Sequence, residues 1–281
     1  MTPRERPYRL VQRASLEVSR NAPSGEFLRA ARSSVWRAAP ELQERFPELR
    51  EAKQTSPTTV GVWDISARLP YLYDLVEVLN ARKDRLLFFE IVASTPLGVE
   101  ANPDRIESLV KAFGQEIKTE ERQGLRRNIV ASDVFPRIRQ LRERFALDYL
   151  VGVVRQPILI ESQQKLDWDY FAVAQGHEAL VSTDGVHDYA ETAGRSYEAA
   201  VGYLVLGITA NAIQDEDLYH EETRGCLFDY NDDRDSLVEG LRAFRLCAPC
   251  RRIDFRPPLK EVLEPILAGI QDFTPPKSKS E

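Results

Sequence analysis

The sequence predicts an α/β fold with a mixed, mainly parallel sheet and flanking helices. Strand-like and helix-like segments alternate along it, which is the pattern of a layered α/β domain. One strand candidate is apolar almost without a break, as a strand covered on both faces must be. A third observation adds a C-terminal zinc-binding subregion. All three cysteines, and one of only three histidines, fall between His220 and Cys250.

The order of elements supports this class segment by segment. Residues 59–65 form a compact β-rich run. Pro70 then opens a helical pattern in which Leu72, Leu75, Val76 and Leu79 share one face. Residues 85–93 are the nearly continuous apolar strand, so strand, helix and strand make one crossover unit if the two strands are parallel neighbours. Asn102 is placed to cap a helix that begins at Pro103 and carries Ile106, Leu109, Val110 and Phe113 on one side. A short strand at 128–131, a helix at 136–145 and a strand at 148–154 repeat the pattern. Residues 170–175 and 179–183 read as a hairpin with Gly176 in its turn. Residues 195–213 are apolar almost all the way round, which predicts a central buried helix. Gly202 and Gly207 in that helix lower its intrinsic helicity by about 1 kcal/mol each relative to alanine, so they are read as close-packing positions. A short helix is expected at 235–242. From Pro257, Leu259, Val262, Leu263, Ile266, Leu267 and Ile270 recur at helical spacing.

Charge divides the chain further. Net charge is −6 over 281 residues. Residues 1–56 carry 11 Lys/Arg against 7 Asp/Glu, or +4, and the remainder carries 27 against 37, or −10. The expected organisation is a basic N-terminal arm at 1–57 with one or two short helices, a body at 58–272 that includes the zinc subregion at 220–252, and a disordered tail at 273–281. No signal-like segment opens the chain, and the longest apolar helix candidate is too short to span a bilayer, so no membrane partner is expected and the cytoplasm is the expected location. An acidic body repels phosphate, which argues against nucleic acid as a partner. No Gly-rich phosphate loop follows any strand.

The spacing His220-x5-Cys226-x20-Cys247-x2-Cys250 carries the most chemistry. A Cys-x2-Cys turn presents two sulfurs to one ion, and a distant cysteine and histidine complete a tetrahedron with no open position, as a structural zinc site requires. Three cysteines in a reducing compartment need not pair as disulfides. The competing reading makes Cys226 a buried apolar residue and the Cys247–Cys250 turn a redox pair. His220 is one candidate for the fourth ligand, with His177, His187 and Asp229 as others.

Paired strands, a buried helix beginning near Arg195 and Glu198, then Cys226 and the late Cys247-x2-Cys250 resemble the archaemetzincins over roughly residues 58–252. The likeness is specific at the cysteines. In that family a His-Glu-x-x-His-x-x-Gly helix and a later histidine hold a catalytic zinc, with the glutamate as base. With Gly207 matched to the motif glycine, the three ligand positions hold Ala200, Leu204 and Ala210, and the base position holds Val201. The resemblance therefore implies a relative without the catalytic chemistry. One family cysteine of the structural site is also replaced, with His220 the nearest substitute.

Three functional readings follow. The first is a zinc-stabilised, catalytically inactive metalloprotease-like scaffold that acts through protein–protein interaction, with no catalytic residue assigned. The second is a hydrolase with an unrecognised site around His177 and His187, supported by Glu178, Asp184, Asp188, Glu191 and Glu198. The third is a nucleic-acid-associated zinc protein using the arm together with Arg242, Arg245, Arg251, Arg252 and Arg256.

Overall fold

A computed structural model describes residues 58–80, 87–92, 99–162, 165–231, 233–257 and 259–275. The basic arm and its expected helices, and the tail beyond residue 275, lie outside them. Along the chain the elements are β1 (Thr58–Asp64), α1 (Leu72–Leu79), β2 (Leu87–Ile91), α2 (Pro103–Phe113), α3 (Thr119–Leu125), β3 (Ile129–Val130), α4 (Ala131–Arg144), β4 (Tyr149–Val154), β5 (Ile158–Glu161), β6 (Leu166–Tyr170), β7 (Ala172–Gln175), β8 (Glu178–Ser182), α5 (Val186–Ala193), α6 (Tyr197–Gln214), α7 (Leu237–Ala243) and α8 (Leu259–Gln271).

The class is the mixed α/β one that the alternation predicts. The main sheet has the order β2-β1-β4-β8-β7, parallel throughout except that β7 returns antiparallel to β8. Gly176, at φ +63°, lies in the tight β7–β8 turn. A smaller sheet, β3-β5-β6, stands beside the main one.

Period-two alternation divides the strands between two cores. Val60, Val62, Val151, Val153 and Val181 face the larger core, with α1, α6 and α8, whereas Trp63, Leu150, Val154 and Leu180 face Ile138 of α4. Helix α6 lies within the larger core, and every residue from Glu198 to Ala210 is buried. Its start is fixed by Ser196, whose hydroxyl accepts from the Ala199 N–H at 3.2 Å. A Cβ on Gly202 would lie 2.8 Å from Leu75 of α1 and 3.0 Å from Ile270 of α8, so glycine allows these three helices to meet. At Gly207 the nearest atom to such a Cβ is 3.4 Å away on Leu227, an ordinary contact.

Several local boundaries differ from the sequence reading. Helix α4 begins at Ala131 rather than at Pro136, which sits inside it. Helices α3 and α5 and strands β5 and β6 form where no element was expected. Among the described residues no helix is long and apolar enough to cross a membrane.

Candidate metal centre

Beyond α6 the chain forms a loop held by two short backbone pairings, and these bring the predicted donors together. His220 pairs with Asp229: the His220 N–H donates to the Phe228 carbonyl at 3.0 Å, and the Tyr230 N–H donates to the His220 carbonyl at 3.0 Å. Cys226 pairs with Arg245, whose carbonyl accepts from the Leu227 N–H at 2.9 Å. The Tyr203 hydroxyl reaches out of α6 and donates to the Cys226 carbonyl at 2.6 Å. Gly240 makes room for it, since a Cβ there would lie 2.6 Å from that hydroxyl oxygen. On the other side, Cys247 and Cys250 sit on one tight turn that closes through the Arg251 N–H to the Cys247 carbonyl at 3.0 Å.

One donor atom from each of His220, Cys226, Cys247 and Cys250 lies within 4.8 Å of the others. The three thiols are buried and in no disulfide, and the His220 side chain is 21% exposed. Its Nε2 lies 3.5 Å from Cys247 Sγ. Nδ1 faces the other way, 2.9 Å from the Glu222 carbonyl and 3.5 Å from Asp229 Oδ1. A proton on Nδ1 directed at these acceptors leaves the Nε2 lone pair for a metal, the usual outer-layer arrangement around a ligating imidazole.

Asp229 is almost fully buried. Its Oδ2 accepts from the backbone N–H groups of Arg224 at 3.0 Å and Cys226 at 2.9 Å, while Oδ1 has no hydrogen-bond partner among the described residues. Asp229 thus braces the loop and faces the imidazole rather than joining the donor set. The two remaining histidines do not reach the thiols. His177 stacks on Tyr149 in the β7–β8 turn with its Nδ1 2.9 Å from the Asp148 carbonyl, and His187 is exposed at the start of α5.

The thiols shift one another. Burial raises the Cys226 thiol, and burial together with the neighbouring thiols raises Cys250 further. Burial also acts to raise Cys247, but hydrogen bonding from the Cys250 backbone, the two thiols and Arg224 outweighs it and brings Cys247 down to about 7. Cys247 is therefore the thiol that ionises first, and metal uptake must displace protons from the other two.

The donor set suits zinc. Sulfur ligands at about 2.3 Å from a tetrahedral ion lie about 3.8 Å apart, so atoms already within 4.8 Å need to close by no more than about 1 Å. Three thiols and an imidazole are ligand types that tetrahedral zinc takes. Among the described residues no second cluster of three or more potential metal donors occurs. On α6, Ala200, Val201, Leu204 and Ala210 are buried and offer no donor atom. Tyr203 and Asp229 are the supporting residues that spacing alone does not assign to these roles.

No protein-family model matches the chain, and no curated protein matches it. Among solved structures it is similar to a crystal structure of a zinc-dependent peptidase from Methanocorpusculum labreanum, at 15% identity and a TM-score of 0.38, over 69% of this chain and 97% of that one.

Proposed function

We propose that His220, Cys226, Cys247 and Cys250 hold a structural zinc ion, and that the chain is an archaemetzincin-like scaffold without peptidase chemistry that acts by binding another protein. The observation that carries the proposal is the convergence of four donors from separate stretches on one buried point. With all four engaged, zinc supplies folding free energy and keeps no position for a water to be activated. The apolar positions of α6 support the loss of catalysis, because a hydrolytic zinc needs protein ligands, an open position and a nearby base. Free thiols kept for a metal fit a reducing compartment, and we place the protein in the cytoplasm on that ground.

The competing readings have less support. His177 and His187 flank the two ends of β8, a five-residue strand about 17 Å long, and so do not converge. Of the arginines near the thiols, Arg242, Arg251 and Arg256 are paired with Glu239, Glu264 and Asp215.

Digestion of a broad peptide library with and without added zinc, read by mass spectrometry, tests the reading. The expected result is no cleavage under either condition. Zinc-dependent cleavage that disappears in His177→Ala or His187→Ala would replace the scaffold by an enzyme.

A further inference from the structure

A cleft of ≈ 230 Å³ opens beside the metal centre, between β6 and the loop at 219–231. Two of the loop residues that form its wall adjoin donors in sequence: Tyr219 precedes His220 and Leu227 follows Cys226, and Asp229 and Tyr230 of the same loop complete the wall. Facing them are Trp168 and Tyr170 of β6. The Tyr170 and Tyr230 hydroxyls are 2.8 Å apart and join the two walls, with the rings edge to face at 6.3 Å.

We propose that this cleft binds an organic ammonium cation. The inference deepens the scaffold reading above and rests on it, by naming the chemistry of what the scaffold recognises.

Aromatic walls alone would suit any apolar ligand, so the charges decide. The accessible carboxylates of the lining are Asp167 and Asp169, against Lys165; Asp229 also borders the cleft but is buried and engaged by backbone N–H groups and His220. Lys165 is already 2.8 Å from Asp167. A phosphate or carboxylate ligand would be repelled there, whereas an ammonium group is attracted both by the carboxylates and by the faces of Trp and Tyr rings. The same wall holds an internal example, for the Arg234 guanidinium lies 4.1 Å from the centroid of Phe171, another lining residue. Size gives the second constraint. The cleft is below the range of about 300–1,000 Å³ common for drug-sized ligands, so it suits a single cationic head group or side chain.

The test uses the full chain, with zinc content measured on the same samples, and isothermal titration of three probes. These are choline, its neutral isostere 3,3-dimethyl-1-butanol, and a short peptide carrying one trimethyllysine. Asp169→Asn is the informative variant. Asp169 sits at φ +65°, a conformation asparagine tolerates, and the amide can keep both bonds to Asn128, so the change removes charge and leaves the backbone. The expected result is that choline binds at least tenfold tighter than the isostere and that Asp169→Asn weakens choline roughly three- to tenfold. Trp168→Leu should weaken it as well. Tighter binding of the peptide than of choline puts the cation on a polypeptide, and equal binding puts it on a small molecule; either supports the inference. Equal affinity for choline and its isostere, no choline binding, or an unchanged Asp169→Asn would overturn it. Zinc-bearing protein that fails to bind removes this inference alone. Protein without zinc that still binds choline removes the proposed metal role and leaves the cleft assignment standing.

Discussion

At Asp229 one carboxylate does two jobs. Its Oδ2 fixes the loop through the Arg224 and Cys226 N–H groups, and its Oδ1 faces His220 Nδ1. Asp229→Asn keeps an oxygen for the first task and turns an amide N–H2 toward the imidazole in the second. Zinc affinity should then fall about 10- to 100-fold with the fold retained, measured by competition with a chelator; unchanged affinity would show that Asp229 only braces the loop. Removing a thiol is more severe. Cys226→Ser, Cys247→Ser or Cys250→Ser should strip the metal and loosen residues 220–252, and His220→Ala should be milder because water or a nearby carboxylate can replace one nitrogen. Full zinc content in any of the three serine variants would contradict the ligand assignment. The nearness of Cys247 and Cys250 was legible in the sequence because Cys-x2-Cys spacing encodes proximity directly, whereas spacing alone left His220 as one of four candidates beside them. Tyr203 and Asp229 were not legible in their supporting roles, since these depend on how α6 and two loops meet in space.

Among the elements, α6 has the least freedom. Its burial from Glu198 to Ala210 and the contact of Gly202 with Leu75 and Ile270 leave no space for an added methyl. Gly202→Ala gains helix propensity of about 1 kcal/mol but forces the buried Leu75 or Ile270 side chain to shift in a packed core, an overpacking cost of about 1–3 kcal/mol, so a net loss is expected in chemical denaturation. A gain in stability would mean that the helices yield without strain. The same helix was the most readable element, because an apolar surface on every side can only be buried. Helices α3 and α5 were not readable for the opposite reason: Leu125 is the single buried residue of α3, and α5 buries just Val186 and Ala190, too few to set a period. In β6 the charged Asp167 and Asp169 hide the strand, and at the start of α4 Pro136 imitates a first helical residue.

The proposed metal centre ties the C-terminal third of the described chain to the main core. Tyr203 links α6 to the Cys226 carbonyl, and Cys226, Cys247 and Cys250 belong to the same apolar cluster as α8. Chelating the zinc should therefore remove a few kcal/mol and lower the thermal midpoint by roughly 5–10 °C. Hydrogen exchange should rise first in residues 220–252, with β1, β4 and β8 still protected; a uniform rise would instead make zinc part of the whole cooperative unit. The most direct measurement of the central claim is zinc K-edge absorption spectroscopy on the purified full chain, together with metal stoichiometry. The account predicts about one zinc per chain, with three sulfurs at about 2.3 Å and one nitrogen at about 2.0 Å. Protein that holds no zinc, or zinc surrounded by oxygen and nitrogen without sulfur, would contradict it.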